Sequence, residues 1–171
     1  MRLRSFPLLL AFAAGLASMT AQAATTGTLR FAGQINAGTC NLAAGDQNRT
    51  ITLPTVKISD FDKVVYAGEL NFDISAECES DIRNVTFLFA GTPSVSNGLL
   101  FSNTGTSVGT ALWLRSGATI HANGTPAQRS RTVATSGSVA VLPLKAAYHT
   151  TGDALTQGTL DSAVTVSITY N

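Results

Sequence analysis

Cys40 and Cys78 are the only two cysteines of the chain, so its thiol chemistry is limited to one bridge, two buried free thiols or a share in a metal site. A second candidate for chemistry is the run Gly105, Ser107 and Gly109, which fits the G-x-S-x-G pattern of a serine nucleophile. His121, His149, Asp153 and Asp161 are the residue types that would partner it. That pattern works only where a strand precedes it and a helix follows, lifting the serine into reach. Here it lies in a Ser/Thr/Gly run with no helical period after it, and biased composition accounts for the match. No catalysis is expected, and fluorophosphonate labelling lost in Ser107→Ala would overturn that reading. The two histidines stand far apart, and Asp60, Asp62 and Asp73 read as loop or surface charges, so neither a metal nor a cofactor is expected.

The compartment decides between the thiol options. Arg2 and Arg4 precede an apolar run over residues 6–19, and Ala21, Gln22 and Ala23 give the small-x-small pattern of a signal peptidase site. Residues 1–23 are therefore read as a signal peptide, with the mature chain starting at Ala24. The run is short for a membrane span, and no later stretch approaches the roughly 20 apolar residues a bilayer needs, so no direct membrane insertion is expected. Outside the cytoplasm thiols are oxidised, and Cys40 and Cys78 should pair. Closing a loop of about 38 residues restricts the unfolded chain by about 4 kcal/mol in the chain-entropy model, a sizeable part of the ~5–15 kcal/mol a domain holds. The leader also takes two of the 11 basic residues, leaving nine against ten acidic ones, and no basic cluster calls for nucleic acid.

The mature part, about 148 residues, suits one domain. It is rich in Thr, Ser, Val, Ala and Gly, and 12% of the chain is charged, so an all-β fold is expected. Residues 28–36 and 49–56 read as half-buried strands. Leu70, Phe72, Ile74, Ala76 and Cys78 share one face of a further strand, and residues 85–90 are dense enough in apolar side chains to be central. Asn97 and Gly98 suit a tight turn with positive φ, residues 111–114 resume a strand, and residues 123–126 turn again. Residues 138–148 form a long late strand with apolar residues on both faces, predicting cover on both. One short helical turn is expected near residues 59–64. The final strand alternates Val164, Val166, Ile168 and Tyr170 against Thr165, Ser167 and Thr169. About eight strands at this spacing, with no repeat or linker, predict a single β-sandwich.

Three features together resemble the chaperone–usher fimbrial subunits, or pilins. A glycine, Gly33, interrupts an alternating strand shortly before the first cysteine, Cys40; Phe72, Ile74, Ala76 and Cys78 resemble the family's second-cysteine strand; and the chain closes with Gly158 fourteenth from the end and Tyr170 penultimate. The resemblance spans essentially the whole mature chain. It implies an incomplete immunoglobulin-like sandwich, residues 37–171, whose missing strand is supplied by another subunit. It also implies a donor-strand extension over residues 24–36, with Leu29, Phe31, Gly33 and Ile35 as the inserting face. Gly158, Val164, Val166, Ile168 and Tyr170 would border the acceptor groove, with Asn171 held by cations of a chaperone. The implied partners are a periplasmic pilus chaperone, an outer-membrane usher and neighbouring pilin subunits, and the implied destination is a surface fimbria used in adhesion or biofilm formation.

Individual residues keep simpler readings at this level. Gly33 can mark a bulge, Gly158 a turn, and Tyr170 a plug at the end of the core. A different class of function is a carbohydrate-binding adhesive sandwich, lectin-like or at a fimbrial tip, with Trp113 stacking on a sugar. The flanking Leu112 and Leu114 favour a core position for that ring instead. A two-domain tip adhesin would need a longer chain and no donor arm.

Overall fold

The computed structural model describes residues 28–171; residues 1–23, read above as a signal peptide, and residues 24–27 of the expected extension lie outside the described part. Residues 36–171 form one compact unit, and residues 28–35 belong to a separate N-terminal unit. The larger unit has eight strands: β1 Cys40–Leu42, β2 Tyr66–Cys78, β3 Asn84–Gly91, β4 Thr110–Ser116, β5 Ala118–Thr119, β6 Ser130–Ala134, β7 Val139–Thr150 and β8 Val164–Tyr170. They form a five-stranded sheet, ordered β1-β2-β7-β4-β5, and a three-stranded sheet, ordered β6-β3-β8. Every pairing between these strands is antiparallel.

Alternation in the sequence produces the core. Along β3, Val85, Phe87 and Phe89 point inward and are fully covered, while Thr86 and Leu88 lie on the outer face. Facing them are Ile74 and Ala76 of β2 and Ala140, Leu142, Leu144 and Ala146 of β7, all buried. β3 is the middle strand of its sheet, as its apolar density predicts. Cys40 and Cys78 occupy directly opposed positions of β1 and β2 and are joined by a disulfide inside this core.

The two outer edges on one side of the sandwich are clasped by a single side chain. Arg131 of β6 donates from Nε to the Ser116 carbonyl at 2.9 Å, and from Nη2 to the carbonyls of Ala118 at 2.7 Å and Thr119 at 2.9 Å. A guanidinium presents five donors in a fixed fork, which lets it bind several carbonyls of the β4–β5 hairpin at once. Burial pulls its pKa down from the ordinary arginine value.

Several sequence expectations are corrected. Residues 28–36 and 49–56 carry no strand assignment, because extended backbone becomes a strand only as part of a ladder, and neither segment belongs to either sheet. The first half of β7 is covered on one face only: Val141 and Pro143 are exposed, whereas further along the same outer face Ala147, opposite Trp113, is buried. Asn97 and Gly98 do turn, but neither has positive φ. The turn is closed by the Leu100 N–H donating to the Asn97 carbonyl, and a Cβ on Gly98 would push the Asn123 side-chain amide aside. The expected helical turn is a 3-10 turn at Ile58–Phe61. Two further helical turns are not expected from the sequence: a 3-10 turn at Ala44–Asp46, and Pro126–Arg129, where Thr125 and Gln128 form the capping box and Pro126 takes the first helical position.

Candidate functional site

The feature that sets this sandwich apart is the free side of β8. β8 pairs with β3 over Val164–Tyr170 and has no strand on its other flank among the described residues. Asn84 and Asn171 exchange both backbone hydrogen bonds, which fixes the phase of the ladder. The hydrogen-bonded pairs then continue at Thr86/Thr169, Leu88/Ser167 and Ala90/Thr165. It follows that the N–H and C=O groups of Val164, Val166, Ile168 and Tyr170 all point away from β3, toward the vacant flank.

The side chains of the same residues are equally unfinished. Val164, Val166 and Ile168 pack against the core yet remain half-covered, although Phe89 and Phe87, the cross-strand partners of Val166 and Ile168, are fully buried. Tyr170 is 41% exposed. An apolar face with unpaired backbone beside it is a template for strand addition.

Across the opening lies the edge of the other sheet. β1 is only three residues long, and it approaches β8 without pairing to it. Beyond it, residues 48–57 run on outside any ladder, with Ile51, Leu53 and Val56 half-buried; Leu53 packs against the core. The open flank is thus bounded by one strand that can accept a ladder and by apolar side chains from both sheets.

The remaining residues singled out from sequence fall elsewhere. Leu29, Phe31 and Ile35 are exposed, and a Cβ on Gly33 would meet nothing within 4 Å. Gly158 sits in the loop before β8, where a Cβ would collide with the backbone of Thr106 and Ser107, so its lack of a side chain has a packing reason there. Ser107 Oγ donates to the Thr156 carbonyl at 2.9 Å, and no histidine takes part in that bond. His149 Nδ1 lies 2.7 Å from the Thr150 carbonyl oxygen, and Asp153 accepts from Ser96 and Thr151, whose hydroxyls hold its carboxyl below the usual range. The G-x-S-x-G run is a loop brace. Among the described residues no group of three or more His, Cys, Asp or Glu is placed to hold a metal ion.

Trp113 is not in the core. It lies opposite Ala147 on the outer face of the five-stranded sheet, half-buried, because its neighbours Leu112 and Leu114 take the inward positions. Its surroundings are already filled: the Tyr66 ring at 4.6 Å, the Arg115 guanidinium at 4.9 Å, the His149 ring at 5.8 Å, and Thr119 Oγ1 accepting from its indole N–H at 2.9 Å.

The model of the fimbrial protein family matches residues 29–171, which takes in the whole sandwich together with its unfinished edge. The chain belongs to that family. Fimbrial proteins are structural subunits of extracellular pili, and this fimbrial subunit is similar to others of known kind. It is 26% identical to the fimbrial subunit ElfA of Escherichia coli strain K12 over 157 residues, 86% of each chain. Its fold matches that of PapA, the rod subunit of the P pilus, with a TM-score of 0.63 at 17% identity, covering 77% of this chain and 99% of that one. A chaperone–usher pilus structure concerned with rod uncoiling matches with a TM-score of 0.62 at 16% identity, covering 85% and 96%. The immunoglobulin-like pilin sandwich is therefore the fold of this fimbrial subunit.

Proposed function

We propose that this subunit polymerises by donor-strand exchange, with the free flank of β8 as its acceptor and residues 24–36 of a sibling as the incoming strand. The single observation that carries this reading is that the outward backbone groups and the half-covered side chains belong to the same residues, Val164, Val166 and Ile168. One added strand would complete the ladder and cover the core face together. Leu29, Phe31 and Ile35 alternate in the spacing such a strand requires, and Gly33 would pass where the groove is too shallow for a side chain. If the donor side chains are fully covered at roughly 1.5–3 kcal/mol each, the gross gain is of order 5–10 kcal/mol before ordering costs. That favours a near-permanent joint.

A periplasmic chaperone would fill the same flank first, since an open apolar edge invites aggregation, and would contact Gly158, Tyr170 and Asn171 at the ends of β8. An outer-membrane usher would then exchange the chaperone strand for the next subunit. The journey implies residues 1–23 as the export signal and the outer surface of the cell as the destination. The adhesive, sugar-binding alternative is less favoured, because the neighbourhood of Trp113 is taken up by Tyr66, Arg115 and His149.

The test is a detergent-resistant ladder of the purified mature protein. Deleting residues 24–36 should abolish it, and Gly33→Leu should give a folded, oxidised subunit that fails to join a preceding one. Normal polymer from either variant refutes the assignment of the donor strand.

A further inference from the structure

An acceptor strand held by one neighbour must keep its register while its other flank is empty, so what fixes its ends matters as much as the ladder. The downstream end is held by Asn171, whose oxygen accepts the N–H groups of Arg83 at 2.9 Å and Asn84 at 3.2 Å. The upstream end is held differently, by the turn before β4. The Thr104 N–H donates to the Asp161 carbonyl at 2.8 Å, and the Ser107 N–H donates to the Thr159 carbonyl at 3.0 Å.

At the centre of that contact is one side-chain amide. Asn103 Oδ1 accepts the N–H of Gly105 at 2.7 Å and the N–H of Asp161 at 2.8 Å. Its Nδ2 donates to the Ser107 carbonyl at 2.8 Å, the Thr159 carbonyl at 3.2 Å and Thr110 Oγ1 at 3.2 Å. Both donors and both acceptor lone pairs of an amide are used, so no other residue type of that size reproduces the set. The two backbones approach too closely for side chains: a Cβ on Gly105 would strike the Thr159 carbonyl, as one on Gly158 would strike Ser107. The amide thus ties the turn to residues 159 and 161, just ahead of the first paired residue, Val164.

The geometry points to Asn103 as a positioning residue of the acceptor edge: it sets where β8 begins, so that the outward backbone groups of Val164, Val166 and Ile168 stand in register before an incoming strand arrives. This rests on the donor-strand reading above. A binding edge that is already ordered loses less freedom on association, and an edge that is ordered only part of the time binds more weakly in proportion. The role is distinct from general stability because Asn103 bonds to the turn, to Thr110 at the very start of β4 and to the approach to β8, not to β2 or β7.

The experiment compares oxidised mature chain with its Asn103→Ala variant, using a fluorescent synthetic peptide of residues 24–36 as the probe. The peptide on-rate should fall on the order of tenfold in the variant. Hydrogen exchange should show lost protection in β8 with β2 and β7 unchanged. Peptide capture at the wild-type rate overturns the assignment, as does protection lost equally from β2 and β7. If Asn103→Ala does not fold, Asn103→Asp keeps the acceptors for Gly105 and Asp161 but removes the amide donors, and an unchanged peptide rate in that variant overturns it equally. Failure of the wild-type chain to take up the peptide sinks the donor-strand reading itself; uptake by wild type and variant alike sinks only the role of Asn103.

Discussion

Ile168→Ala separates the energetics of the lone subunit from those of the joined one. In the subunit Ile168 lies across from fully buried Phe87 but is itself only half-covered. Truncating a fully buried isoleucine to alanine costs about 2–5 kcal/mol, so the half-covered site should lose about 1–2 kcal/mol. Once a donor strand covers the residue, the cost should rise to about 2–4 kcal/mol. The difference, about 1–2 kcal/mol, appears as roughly 5–30-fold weaker capture of the strand. The assay is urea unfolding of the oxidised mature chain with and without a saturating peptide of residues 24–36, together with a binding titration. Thr169→Ala, whose side chain lies on the outer face of the same strand, is the control and should be indifferent to the peptide. Equal losses for Ile168→Ala in both conditions, within about 0.5 kcal/mol, would refute the claim that an incoming strand completes the cover of that side chain.

Two further outcomes follow from features away from the edge. Arg131→Met removes a cation shared by the carbonyls of Ser116 in β4 and of Ala118 and Thr119 in β5, and should cost about 2–4 kcal/mol in urea unfolding, with Arg131→Lys recovering only part; a loss below about 0.5 kcal/mol would show that the clasp is idle. Glu69 accepts from Lys145 Nζ at 2.8 Å and Arg115 Nη2 at 2.7 Å, and these bonds hold its carboxyl below the usual range. A lowered folded pKa gives stability that is present above the ordinary glutamate range, about pH 4.3, and is lost as pH falls through the folded value. The advantage of wild type over Glu69→Gln in melting temperature should therefore be small, present at neutral pH and shrinking as pH falls below the ordinary glutamate range, and an advantage that grows on acidification contradicts the sign.

β2 and β8 were legible because their apolar residues alternate, β3 and β7 because they are dense in apolar residues, and each finds a partner within the chain. Residues 28–36 and 49–56 alternate as well, yet local pattern reports only a preference for extended backbone, and the ladder that turns it into a strand is a property of neighbours. Trp113 was misplaced because flanking leucines suggest burial, whereas the pleat sends adjacent residues to opposite faces. The turn Pro126–Arg129 is too short for periodicity, although Thr125 and Gln128 carried its capping signal. The outward edge of Val164, Val166 and Ile168 could be anticipated from alternation, but its phase depends on the Asn84–Asn171 pair, which only the register shows. Asn103 and Arg131 were invisible from sequence because most of their partners are backbone carbonyls and amides, and those of residues 116–119 and 159–161 lie distant in the chain.

The placement of the disulfide has a mechanical consequence. Residues 36–39 lead from the N-terminal unit straight into Cys40, and Cys40 is bonded to its cross-strand partner Cys78 at the end of the 13-residue strand β2. A pull on a captured arm would otherwise be borne by the few hydrogen bonds of a three-residue strand, which unzip one after another. The S–S bond would pass the load beyond that three-residue strand into the 13-residue strand β2. On the proposed joint through residues 24–36, tension along a filament would enter each subunit next to this brace.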